Sequence, residues 1–223
     1  LIQQQTNQFG SKNLVMLGYD EKGMLAAAEY KGCSTSSSAR GDFKDCDYRY
    51  GWFYDPETEP SSFFPEIHWD KPCIITEANI DRMALMSLML DGQLDPVEYG
   101  FDETVMALLK SRDYNYKSFN WLSIGSTSNR QTVYSLMDKF HIQNWIVATD
   151  NDESGHKCAG CIIQEVEKRG GKAYSMFSLG KDWDQDRINQ CEKSLDKRIQ
   201  RGEVACRVDR HCEREQDMQV KIP

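Results

Sequence analysis

Between Cys73 and Ser178 short apolar runs alternate with segments of helical periodicity, and few chain topologies accommodate that pattern. The runs are "CIIT", "NWLSIG", "NWIVAT" and "KAYSMFS". Between them lie "NIDRMALMSLML", whose Ile80, Ala84, Leu85, Leu88 and Met89 recur at helical spacing, and "NRQTVYSLMDKF", which Asn129 is placed to cap. The next such segment, "SGHKCAGCIIQEVEKRGG", stops at Gly170 and Gly171. A shorter helix is expected from Glu103 to Lys110. Short apolar strands separated by amphipathic helices predict an α/β fold with a mostly parallel four-stranded sheet flanked by helices. In such sheets chemistry gathers beyond the carboxyl ends of the strands.

Acidic residues stand at those ends. Glu77 follows "CIIT", with Asp81 one helical turn on; Asp150 and Asp152 follow "NWIVAT"; Asp182 and Asp184 follow "KAYSMFSLGK". Like charges packed this closely repel unless water screens them or a cation sits among them. Clustered carboxylates suit Mg²⁺ or Mn²⁺, which take hard oxygen ligands and keep waters that a phosphate can replace. Each group also has a plainer reading. An Asp-x-Asp before a helix is a common cap, and Ser154 is placed to cap as well. Asp81 suits the positive end of a helix. "GKDWD" reads equally as a charged turn with Trp183 packed inward.

The chain before this region is built differently. "KNLVMLGYDEKGMLAAAEYKGC" reads as two extended segments joined at a "DEKG" turn, "CSTSSSARGDF" as a polar loop, and the aromatic, proline-containing stretch to Pro72 as a connector. Beyond Asp182 the sequence is highly charged and expected to be helical to about Gly202, with its charges nearly balanced as on a solvated face. The expected organisation is a β-rich N-terminal part over residues 1–70, the α/β domain over 71–186, and a charged helical tail over 187–223.

Composition excludes some functions. A net charge of −8 argues against a protein that coats nucleic acid by bulk electrostatics, though carboxylates that hold cations count as negative in such a sum. No run is long and apolar enough to span a bilayer, and the start shows no signal peptide, so a cytoplasmic location and no membrane partner are expected. The first residue is Leu, which suggests a fragment of a longer protein. The eight cysteines fit no metal framework and read as reduced thiols. Cys158 and Cys161 form a CxxC on a helix without a second pair, a pattern that favours buried thiols. His156 reads as a solvent-facing ring.

"TEANID", then a strand ending in "DNDESG", then "GKDWD", together resemble the TOPRIM domain, the metal-binding module shared by bacterial primases, topoisomerases and some nucleases. Glu77 matches the lone Glu after that family's first strand, and Asp150 and Asp152 match its Asp-x-Asp. Asp81 matches a further acid of the primase-like pattern, and "GKDWD" resembles its third acidic motif. The segment from Asn13 to Cys33 is similar to what precedes TOPRIM in primase-like proteins of plasmids and integrative or conjugative elements. The chain departs from the replicative primase in carrying Ala78 where that enzyme has Gly after the motif Glu, and it has no zinc-ribbon CxxC pairs.

The resemblance implies a Rossmann-like TOPRIM sheet and divalent-metal-dependent nucleotidyl transfer on single-stranded DNA. Nucleoside triphosphates would be the second substrate, with replication or conjugation proteins as further partners. It implies Glu77 as a catalytic acid/base or additional ligand, and Asp150, Asp152, Asp182, Asp184 and Asp81 as metal ligands. Lys181 would contact phosphate, and Lys31, Arg40, Lys44 and Arg49 would form a basic ridge for nucleotide or template. A TOPRIM nuclease, and a non-catalytic metal- or nucleotide-binding module, remain alternatives. Fold analogy does not choose among them.

Overall fold

A computed structural model describes residues 70–139 and 141–201, together with the backbone of four strands nearer the N-terminus. Those strands, β1 (Ile2–Thr6), β2 (Lys12–Tyr19), β3 (Leu25–Gly32) and β4 (Arg40–Asp42), form an antiparallel sheet in sequence order. β2 and β3 are the two extended segments expected around the "DEKG" turn, with Val15 opposite Tyr30. Arg40–Asp42, expected as loop, instead pairs with β3 along the sheet edge. Three residues are too few for an alternating apolar pattern to reveal them.

The second sheet is wholly parallel. It holds β5 (Cys73–Thr76), β6 (Asn120–Ser123), β7 (Asn144–Ala148) and β8 (Lys172–Ser175) in the spatial order β6-β5-β7-β8. Between these strands run α1 (Asn79–Leu90), α2 (Glu103–Lys110), α3 (Arg130–Lys139) and α4 (Glu153–Lys168), and α5 (Trp183–Gln200) follows β8. The chain leaves β5 toward β6, then crosses back to β7 on the other side of β5. The order therefore reverses between β5 and β7, and it is outside the carboxyl ends of strands at such a reversal that open α/β sheets bind their ligands.

Alternation along each strand sends its side chains to two cores. Cys73 and Ile75, Leu122, and Trp145 and Val147 join Val133, Leu136, Ile162 and Val166 on one face. Ile74, Trp121 and Ile146 join Leu85, Leu88, Val105, Leu109 and Trp183 on the other. The central strands β5 and β7 are covered on both faces, which is why Cys73–Ile75 and Trp145–Ala148 are apolar at every position. Asp102 caps α2 through Thr104 N at 2.7 Å. Gly170, at φ 80°, ends α4 in the left-handed conformation that glycine adopts without steric cost.

Asn129 does not cap α3. A 3-10 turn over Thr127–Asn129 precedes the helix, and the Asn129 Nδ2 donates to the Ile124 carbonyl at 2.9 Å. The backbone contacts divide the chain into two units, Leu1–Arg187 and Ile188–Pro223. Among the described residues no helix is long and apolar enough to cross a membrane. Cys73, Cys158, Cys161 and Cys191 are free thiols, and Cys158 is buried, its thiol pushed up to about 11 first by burial and then by Glu77.

Candidate functional site

Three loops at the carboxyl edge of the parallel sheet carry acids. Glu77 lies directly after β5 and Asp81 in the first turn of α1. Asp150 and Asp152 lie between β7 and α4, and Asp182 and Asp184 at the start of α5. β5 and β7 are the neighbouring strands that flank the reversal in order, so the first two groups stand side by side at the carboxyl edge.

The groups feel one another. Burial pushes the Asp81 carboxyl up to about 7, and the charges of Asp150, Asp182 and Asp184 push in the same direction, against the hydrogen bond from the Asp184 backbone, which lowers it. Burial likewise raises Asp150 to about 7, assisted by Glu77, Asp182 and Asp152, while Lys181 opposes the rise. Five acids from three loops thus contribute to the field at Asp150 or Asp81, and Lys181 is the cation that answers it at Asp150. Asp81 is only 3% exposed, far deeper than a carboxylate that merely favours a helix end would be.

Each loop is fixed by backbone donors. Asp152 is the N-cap of α4 and accepts from Gly155 N at 2.9 Å. Ser154, expected as an alternative cap, pairs instead with the Thr127 hydroxyl at 3.1 Å. Asp182 accepts from Gln185 N at 2.8 Å, and Asp81 Oδ1 accepts from Asp184 N at 3.3 Å, which joins the first and third groups directly. The cap reading and the site reading of these acids are therefore compatible, because a cap uses one oxygen and a carboxylate has two.

Among the described residues, no three His, Cys, Asp or Glu side chains form a group that could hold a metal ion as they stand. Oδ1 of Asp150, however, is buried with no hydrogen-bond partner. A buried, unpartnered carboxylate oxygen carries an uncompensated desolvation cost, which a cation would remove. The donor chemistry fits Mg²⁺ or Mn²⁺, because the acid side chains are hard oxygen donors. Asp152 and Asp182 are the aspartates whose charges bear on Asp150.

Other expected residues are distributed differently. Lys31 and Arg40 are partners in register between β3 and β4, and Lys44 and Arg49 lie outside the described residues. So do "FYDPETEPSSFF" and the final "DRHCEREQDMQVKIP". Lys181 is exposed, and its backbone carbonyl accepts from Asn151 N at 2.7 Å. His156 is exposed but not solitary: its ring stacks on Phe177 at 3.9 Å, and Nε2 lies 2.8 Å from Asn151 Oδ1.

Sequence reasoning passed over Asp186, which the charge balance of α5 presents as one more solvated residue. It is 1% exposed and accepts from both Leu179 N and Gly180 N at 2.7 Å, so it shapes the loop that carries Lys181 and Asp182. Trp183 is fully buried, donates from Nε1 to the Ala148 carbonyl at 3.0 Å, and stacks on Tyr99 at 5.7 Å. Gly155 was also passed over. A Cβ there would run into the Asp150 carbonyl, so only glycine lets α4 begin this close to the turn. A glycine in the first turn of a helix was the available signal.

A family model described as Toprim-like matches residues 74–187, which span all four parallel strands and all three acidic loops. The chain belongs to the Toprim-like family. Toprim domains generally bind divalent metals, in keeping with the carboxylate edge. The crystal structure of the primase fragment of the bacteriophage T7 primase-helicase protein is similar to the chain with a TM-score of 0.52 at 14% identity. The match covers 85% of this chain and 64% of that one, so this Toprim-like protein spans less than two thirds of the phage fragment. At that identity the likeness speaks to the fold alone. No curated protein matches the sequence.

Proposed function

We propose that this Toprim-like protein is a divalent-metal-dependent nucleic-acid enzyme that carries out primase-like nucleotidyl transfer on single-stranded DNA, in the service of a bacterial mobile element. The observation that carries the proposal is the buried, unpartnered Oδ1 of Asp150 at the centre of an acid field drawn from three loops. That arrangement is costly without a cation and useful with one. The similarity of the fold to a phage primase fragment supports the choice of reaction.

Bound Mg²⁺ or Mn²⁺ would supply Lewis acidity at the reacting phosphate and its leaving group. Asp150, Asp152 and Asp182 would hold the cation, with Asp184 and Asp81 completing the acidic wall. Glu77, on the β5 loop where its charge acts on Asp150, would accept the proton of the attacking 3′-hydroxyl or act as a further ligand. Lys181, exposed beside Asp150, would meet the triphosphate. Lys31 and Arg40 on the N-terminal sheet, and Lys44 two residues after β4 in the sequence, would contribute a basic track for template.

The test is a primer-synthesis assay on single-stranded DNA with labelled nucleoside triphosphates and Mn²⁺, run beside a nicking assay on the same DNA. Incorporation by the wild type that is lost in Asp150→Asn supports the proposal. Strand scission without incorporation would assign the acids to hydrolysis instead. Neither product, together with an unaltered Mn²⁺ titration in the variant, would sink the metal-site reading.

A further inference from the structure

Asn151, the residue between the two acids of the Asp-x-Asp, is exposed, yet it bridges two loops. Its backbone N–H donates to the Lys181 carbonyl at 2.7 Å and its Nδ2 to the Ser178 carbonyl at 2.9 Å. The Ser178 carbonyl can only accept, so it fixes which end of the amide faces it and turns Oδ1 toward His156, 2.8 Å away. Oδ1 in turn can only accept, so His156 Nε2 carries the proton of that bond. The imidazole is held from below by its stack on Phe177, the residue before Ser178. Two direct hydrogen bonds and one histidine-mediated link therefore tie the β7–α4 loop to the β8–α5 loop.

These loops bear acid groups that repel each other, since Asp182 adds to the negative field at Asp150. A brace between them opposes the separation that repulsion favours. We infer that Asn151 is a positioning residue, latching the loop of Asp150 and Asp152 to the loop of Lys181 and Asp182 so that the two acid groups stay together against their mutual repulsion before an ion arrives. The inference rests on reading the acidic edge as a metal site. His156 is the outer support of the latch: its ring holds the Asn151 amide, and its backbone N–H donates to the Asp152 carbonyl at 2.9 Å.

The experiment pairs amide hydrogen exchange of the metal-free protein with calorimetric Mn²⁺ titration, on the wild type, Asn151→Ala, His156→Ala and Asp150→Asn. Loss of the Asn151 side chain removes one direct bond and the histidine link, and about tenfold faster exchange of the amides at 180–184 is expected, with Mn²⁺ affinity about tenfold lower. His156→Ala should move both readouts the same way by a smaller factor. Asp150→Asn should abolish Mn²⁺ binding and leave the exchange of those amides no faster. Unchanged exchange in both latch variants overturns the proposal, and so does faster exchange with unchanged Mn²⁺ affinity. If Asn151→Ala does not fold, His156→Ala decides by the same two readouts. A wild type that binds no Mn²⁺ overturns the metal reading and the positioning role with it, while the exchange rates separately report whether the brace exists.

Discussion

Replacing Asp150 by Asn is expected to stabilise the metal-free protein at pH 8 and to leave it unchanged near pH 4. The folded protein holds this carboxyl at about 7, against an ordinary value of 3.8, mainly by burial and then by Glu77, Asp182 and Asp152. A group whose proton affinity is raised by folding stabilises the folded state below its unfolded pKa. That contribution disappears as pH rises through the folded value, so the wild type loses stability between about pH 4 and pH 7. Each tenfold change in proton affinity is worth about 1.4 kcal/mol, which makes the full rise roughly 4 kcal/mol. Asp150 is half-buried, and screening by water reduces this to roughly 2 kcal/mol. For a chain of this size that is a gain of about 4 to 8 °C in Tm. Asp81 titrates in the same range and is coupled to Asp150, so the transition belongs to the pair. Calorimetric melts in chelator at pH 4 and pH 8 measure the effect. Adding Mg²⁺ at pH 8 should raise the Tm of the wild type and not of the variant. No gain at pH 8, or an equal gain at pH 4, would refute the reasoning, because the burden would then not be the charge of Asp150.

Gly155→Ala places a methyl group against the Asp150 carbonyl, and overpacking of this kind costs about 1 to 3 kcal/mol; denaturant melts should show that loss, with weaker Mn²⁺ binding because Asp150 and Asp152 shift together. Asp186→Ala leaves the Leu179 and Gly180 amides without their buried acceptor, an expected loss of about 2 to 4 kcal/mol, which Asp186→Glu should not restore since its longer side chain does not fit between the same two donors. Equal stability of Asp186→Ala and wild type in urea would contradict the assigned role of this carboxylate.

The parallel sheet was legible because nothing competes with its pattern. "CIIT" and "NWIVAT" lie between two cores and must be apolar throughout, and "NIDRMALMSLML" has one apolar stripe that can only be a helix face. The acids at the carboxyl ends of these strands were legible for the same reason, since a strand's end is fixed once the strand is. Asp186 was not, because its burial depends on two amides seven and six residues earlier that fold back onto it, a geometry without a sequence period. Asn151 went unread, and His156 was read only as a solvent-facing ring, because their partners, Lys181, Ser178 and Phe177, belong to a different loop brought close by the pairing of β7 with β8. β4 was read as loop because its pairing is set by β3 rather than by its own composition.

Trp183 stands between Asp182 and Asp184 in the chain, yet its indole lies in the core and donates to the carbonyl of Ala148, two residues before Asp150. It is therefore a built-in optical gauge. Any cation or phosphate that draws the α5 acids toward the β7 loop must change the surroundings of this ring, which is packed against Tyr99. Emission and near-ultraviolet dichroism from Trp183 would register occupancy of the acidic edge without a label, in a position where a dye could not be placed without destroying what it was meant to observe.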